Sequence, residues 1–168
     1  MSNTFWFLDV DGPINASRAG WGRGPARRHV TDSRGETYRL AWEPELIGDI
    51  RSIYNTKLAH IVWCTTWCPD AHLLENLWGL PRLARAWTEY PSGGYVGDLK
   101  LNAVREALKA GKRVVWTDDT ETPTPTDNPA LYEELMSTGR ALLIQPSSSR
   151  GLRPHDIQMI ADFCRENG

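Results

Sequence analysis

The chain has 168 residues, 40% of them hydrophobic and 24% charged, with a formal net charge of −2. That is enough sequence for one domain with a continuous core, and no global charge would draw it to nucleic acid or a membrane surface. No apolar run approaches the roughly 18 residues of a membrane span, and Met1–Asp11 lacks the basic start and long apolar centre of a secretion signal. The three cysteines are therefore expected to be reduced thiols in a cytoplasmic protein.

The first predicted element is a strand over Phe5–Val10, in "FWFLDVDG", which ends in Asp9 and Asp11 and is closed by Gly12. The stretch Gly12–Glu43 is too long for a simple connection. Within it, "VTDSRGETYRL" reads as a hairpin turning at Ser33-Arg34-Gly35, a flap overhanging the rim of the sheet. Between Gly12 and Leu40, Arg18, Arg23, Arg27, Arg28, Arg34 and Arg39 stand against only Asp32 and Glu36, six positive charges to two negative. Arginine forks suit phosphates, so Arg23, Arg27 and Arg28 are candidate contacts to a polyanion, against the alternative of a solvated loop.

A helix is expected over Pro44–Leu58, with Leu46, Ile47, Ile50, Ile53 and Tyr54 on one face. A buried strand over His60–Cys64 ends in Thr65-Thr66. Further helices follow over Pro69–Trp78, Asp98–Ala110, Pro129–Thr138 and Pro154–Glu166, most of them opened by proline or closed by glycine. Strands over Val114–Thr117, ending in Asp118-Asp119, and over Ala141–Gln145 alternate with them, and a short strand is expected around Ala84–Thr88. The strands are apolar without alternation, as in a parallel sheet covered by helices on both faces. The predicted fold is thus α/β and Rossmann-like, one domain over 1–168 with a small hairpin flap at about 12–43 and no large cap.

Cys64, Cys68 and His72 recur every four residues, but a zinc site wants a fourth ligand and closer cysteine pairs, and Cys64 lies in a core-like run.

In a parallel sheet the strand ends share one rim, where ligands bind. Asp9, Asp11, Thr65, Thr66, Asp118 and Asp119 should meet there, with Lys100 supplied from the start of the helix Asp98–Ala110. Clustered carboxylates repel, and a hard divalent cation with oxygen ligands, Mg²⁺ above all, is their natural neutraliser. A carboxylate held by Mg²⁺ and lysine can attack phosphorus, a second one can act as general acid and base, and a threonine hydroxyl can hold phosphate oxygens.

The set "FLDVDG", "IVWCTT", "GDLK" and "VVWTDD", in this order, resembles the four motifs of the haloacid dehalogenase (HAD) superfamily. The resemblance spans about Phe5 to Asp119. It implies a HAD fold in which Asp9 is the nucleophile that forms an aspartyl-phosphate. Asp11 would protonate the leaving group and then activate water, while its carbonyl binds Mg²⁺. Thr65 would bind the phosphoryl group, with Thr66 an equal candidate, and Lys100 would steady nucleophile and phosphate. Asp118 and Asp119 would complete the Mg²⁺ site, either being the direct ligand. The second acid, Asp11, favours a phosphatase over a dehalogenase. Pro13 departs from the Thr or Val that commonly follows D-x-D-G.

A narrower resemblance lies in "VWCTTW", "LWGLP" and "ALLIQPSSSRGL", similar to HAD domains of bacterial and phage RNA-repair proteins. It implies a phosphatase of RNA or DNA ends, with a ligase or kinase as partner; a small-molecule phosphatase and a non-catalytic phosphate-end binding module are the alternatives. A receiver domain uses similar residues in a different order, with its acidic pair first, and is disfavoured.

Overall fold

A computed structural model describes residues 2–166; the outermost residues of the expected 1–168 domain lie outside them. Strand β1 (Thr4–Leu8) lies in the middle of a five-stranded parallel sheet. Its partners are β4 (His60–Trp63) on one side and β6 (Arg113–Thr117) on the other, flanked by β5 (Ala84–Arg85) and β7 (Ala141–Ile144). The order is β5-β4-β1-β6-β7. The intervening β2 (Ala26–Thr31) and β3 (Thr37–Trp42) form a separate antiparallel hairpin.

Successive side chains of a strand point to opposite faces, so an apolar run fills two cores. Trp6 and Leu8 join one cluster with Leu46 and Ile50 of α1 (Pro44–Asn55), Leu74 of α2 (Ala71–Trp78) and Ile160 of α5 (Pro154–Arg165). Phe7 joins the other, with Val104 and Leu108 of α3 (Val96–Lys109) and Leu135 of α4 (Pro129–Met136). Each fully buried Leu or Ile contributes about 1.5–3 kcal/mol. Trp6 keeps its indole satisfied by donating to Thr117 Oγ1 at 2.9 Å. Among the described residues, no helix is long and apolar enough to cross a membrane.

Register fixes the rim. Leu8 pairs with Trp63 and with Thr117, and Thr117 pairs with Ile144, so all four strands end at one level. Several boundaries differ from expectation: α1 stops at Asn55 rather than Leu58 and α4 at Met136 rather than Thr138, and four further differences lie closer to the rim. The ladder of β1 stops at Leu8 because the Val10 carbonyl accepts from the Ile14 and Asn15 amides, turning the chain back. The expected strand Ala84–Thr88 shrinks to two residues pairing with Val62 and Trp63. The segment Pro69–Trp78 begins as a 3₁₀ turn, Cys68–Asp70. Helix α3 begins at Val96, so Lys100 stands one turn inside it rather than in its first turn.

The hairpin turns where expected. Asp32 Oδ1 accepts from the amides of Arg34 (2.9 Å) and Glu36 (3.0 Å), an Asx-type turn completed by Gly35 at φ +86°.

Candidate active site at the carboxyl rim of the sheet

Asp9 follows β1 directly, and its amide still donates to the Thr117 carbonyl at 3.1 Å, so its backbone is as fixed as the strand. Its side chain is buried, with Oδ1 accepting from the Val10 amide at 2.8 Å. Lys100, also buried, sets its Nζ 3.3 Å from Asp9 Oδ2 and 2.7 Å from Asp118 Oδ2. Asp118 is fully enclosed, and its Oδ1 accepts from the Thr120 amide (2.9 Å), the Thr120 hydroxyl (3.2 Å) and the Glu121 amide (2.9 Å).

These partners separate the two carboxylates. Burial pushes Asp9 well above the ordinary carboxylate range, against the pull of Lys100 and with a further push from Asp118. Burial acts the same way on Asp118, but Lys100 and the loop amides outweigh it and hold the group below its ordinary value. Lys100 is raised despite desolvation, by Asp9 and Asp118 together, and stays an ammonium.

Asp119 completes the cluster: Asp9, Asp118 and Asp119 each present a carboxylate oxygen within 4.8 Å of the others. Asp119 is half-buried, accepts from the Ser148 hydroxyl at 2.6 Å, and is raised by burial and by Asp118. With all three ionised, three negative charges face one ammonium and two are left over, the charge of one divalent cation. Oxygen ligands alone suit a hard ion. Asp118 accepts three hydrogen bonds at Oδ1 and the shorter Lys100 contact at Oδ2, whereas Asp9 and Asp119 carry fewer donors and have more capacity to give an oxygen to an ion. This donor set fits a metal ion, and Asp11 contributes no carboxylate to it.

The Asp11 side chain instead turns outward. It is exposed, with Oδ1 accepting from Asn15 Nδ2 at 2.8 Å and Oδ2 from the Trp67 indole N–H at 3.2 Å. The two threonines also part. Thr65 is fully buried and its Oγ1 accepts from the Trp67 amide at 3.2 Å, whereas Thr66 is exposed and lines the space beyond Asp11.

The hairpin tip lies over this rim. The amide and hydroxyl of Ser33 donate to Asp70 Oδ2 (3.4 and 3.1 Å), Tyr90 donates its hydroxyl to the same oxygen, and Tyr38 meets Trp67 edge-on with ring centroids 5.0 Å apart. Arg27 and Arg28 are exposed on adjacent positions of β2 and so point to opposite faces of the ribbon. Arg23 is exposed before the strand begins. Arg34 borders the space beside Asp11, stacked with Cζ 4.0 Å from the Tyr90 ring centre. Its place at the predicted turn was the signal for it; Tyr90 and Ser148 carried none, since both reach the site through tertiary packing.

Cys64 and Cys68 are buried and free, and burial raises both thiols. They form no metal cluster with His72 among the described residues. No family model, curated protein or solved structure matches this chain.

Proposed function

We propose that the chain is a Mg²⁺-dependent phosphomonoester hydrolase of the HAD type, working through an aspartyl-phosphate on Asp9. The observation that carries the reading is the Asp9–Lys100–Asp118 arrangement with Asp119 beside it, two charges short of neutrality, at the end of a central parallel strand.

Asp9 is fixed by its own strand and by the Val10 amide, so an oxygen meets phosphorus without reorganisation. Lys100 keeps that carboxylate paired and offers positive charge to the transferring phosphoryl oxygens. Asp11, held by Asn15 and Trp67, gives a proton to the leaving oxygen and then takes one from the water that opens the aspartyl-phosphate. Asp118, saturated with donors, holds Lys100 in place. Asp9 and Asp119, with the Asp11 carbonyl, would hold Mg²⁺, which supplies charge neutralisation to the phosphoryl group when bound.

In the narrower form of this reading the substrate is the terminal phosphate of a nucleic acid, handled in the cytoplasm beside a ligase or kinase. The hairpin serves as a flap, and a rim left open beside it admits a macromolecular end. Exposed arginines on the hairpin support it. The test is phosphate release with Mg²⁺, with and without chelator, from phosphorylated RNA and DNA ends, nucleotides, sugar phosphates and an aryl phosphate. Release that needs metal and is lost in Asp9→Asn is expected; substantial release by that variant overturns the mechanism. Preference for small phosphates overturns the nucleic-acid form alone, and tight binding without turnover makes the chain a binding module.

A further inference from the structure

Beyond Asp11 the rim opens into a cavity of about 70 Å³ walled by Asp11, Thr66, Trp67, Arg34 and Tyr90. A second cavity, of about 230 Å³, continues outward past Gly93 and Gly94. Arg34, Thr66 and Tyr90 line both, so the two form one trough leading away from the Asp11 carboxylate.

In an in-line displacement the attacking and leaving oxygens lie on opposite sides of phosphorus. An Asp9 oxygen forms the new bond to phosphorus. The old P–O bond breaks with its electron pair on the leaving oxygen, which takes the proton from Asp11. The leaving group therefore lies on the Asp11 side, where the trough begins.

The charges along the trough are uneven. Its inner part also borders Asp32 and Asp70, and both are engaged: Asp32 by the turn amides, Asp70 by Ser33 and Tyr90. The outer part carries one charged residue, Arg34. Among the described residues Arg34 makes no ion pair and no side-chain hydrogen bond; its guanidinium lies over the Tyr90 ring. Stacking occupies the face of a guanidinium and leaves its N–H edge free to donate in the plane. The ring beneath is fixed in turn, because the Tyr90 hydroxyl is tied to Asp70 and lies 3.2 Å from Ser33 Oγ.

Resting on the hydrolase reading above, we propose that Arg34, stacked on Tyr90, is a second anion subsite that receives a negatively charged group carried by the leaving group. The favoured substrate is then a phosphomonoester whose leaving group bears a further anion, such as the next phosphodiester of a chain, rather than a neutral alcohol. Thr66 offers its hydroxyl along the same path.

The experiment uses pairs of 5′- and of 3′-phosphorylated dinucleotides, identical except that the internal linkage is an anionic phosphodiester or a neutral methylphosphonate. For at least one end, wild-type kcat/KM should favour the anionic member by roughly tenfold, the strength of one charge-assisted contact. The ratio should fall to near one in Arg34→Gln and stay intermediate in Arg34→Lys, with thermal midpoints showing that both variants fold. A wild-type ratio near one, or one that survives Arg34→Gln, overturns the subsite while leaving turnover intact. Binding of the same pairs to wild-type protein and Arg34→Gln without turnover separates the two readings. If no ester is hydrolysed but the anionic member binds tighter and Arg34→Gln removes the difference, the subsite stands and the hydrolase falls. Equal binding of both members overturns the subsite.

Discussion

A β-carbon on Gly12 would stand 2.5 Å from Asp119 Oδ2 and closer still to its carboxyl carbon. The backbone there has φ +102°, a region that side chains rarely adopt. The glycine after the D-x-D thus lets the loop of Asp9 and Asp11 pass against the acidic pair after β6. Gly12→Ala should displace Asp119, raise the Mg²⁺ concentration needed for half-maximal phosphate release by roughly tenfold or more, and lower stability by about 1 kcal/mol or more. Metal titration of turnover together with chemical unfolding checks both effects; unchanged metal dependence would show that Asp119 is no ligand.

Lys100 is the single cation between Asp9 and Asp118. Lys100→Met keeps the length of the chain and leaves two buried carboxylates facing each other. Breaking a buried ion pair from one side costs about 3–5 kcal/mol. The variant should unfold at a much lower denaturant midpoint and release no phosphate. If its stability matches the wild type, the buried carboxylates are not ionised together and the electrostatic account of the cluster is wrong.

Much of this was legible from the sequence because it is carried by local signals. The apolar runs ending in Asp9, Thr65 and Asp118 place those residues at one rim as soon as the sheet is parallel, and helix α3, packed against β6, brings Lys100 between two of them. The hairpin was visible from the turn at Ser33-Arg34-Gly35, and Asp32 proves to cap it. What was not legible depends on rotation or long-range packing. Adjacent arginines on β2 could not be assigned to faces before the strand's ends were known, and Arg27 and Arg28 prove to point apart. The division of labour between Thr65 and Thr66, the outward turn of Asp11, and the contacts of Ser148 and Tyr90 are set by partners 20 to 57 residues away or by a bend just past the strand. No spacing rule reports those.

A metal ion held by the carboxylate cluster would compete with protons for the same oxygens. Asp9 and Asp119 are both held above the ordinary carboxylate range by burial. A group whose folded pKa is raised favours the folded state when protonated, so the metal-free protein loses stability as pH climbs from the ordinary carboxylate value through the raised one. A bound cation removes that penalty, and more of it is there to remove at higher pH. The rise in Tm on adding Mg²⁺ should therefore be larger at neutral pH than in mild acid, and chelator should reverse it. Thermal melts across pH, with and without metal, test this; a metal-induced shift that is flat with pH would place the ion on other ligands.

Trp67 is buried beneath the hairpin, and its indole N–H donates to Asp11 Oδ2 at 3.2 Å, while Asn15 donates to Oδ1. Two donors fix the orientation of the carboxyl group that, in the proposed mechanism, delivers a proton to the leaving oxygen. Trp67→Phe keeps a ring against Tyr38 and removes one donor. Loss of one hydrogen bond to a charged group corresponds to roughly tenfold or somewhat more. The loss should appear where protonation of the leaving group matters. An alkyl phosphate, whose alkoxide is a poor leaving group, needs the proton as its P–O bond breaks, whereas an aryl phosphate leaves with little help. The variant should thus lose kcat on alkyl esters more than on aryl ones, giving a steeper dependence of rate on leaving-group basicity. Equal losses across the ester series would instead mean that Trp67 acts through the packing of the hairpin, and that Asp11 is aimed by Asn15 alone.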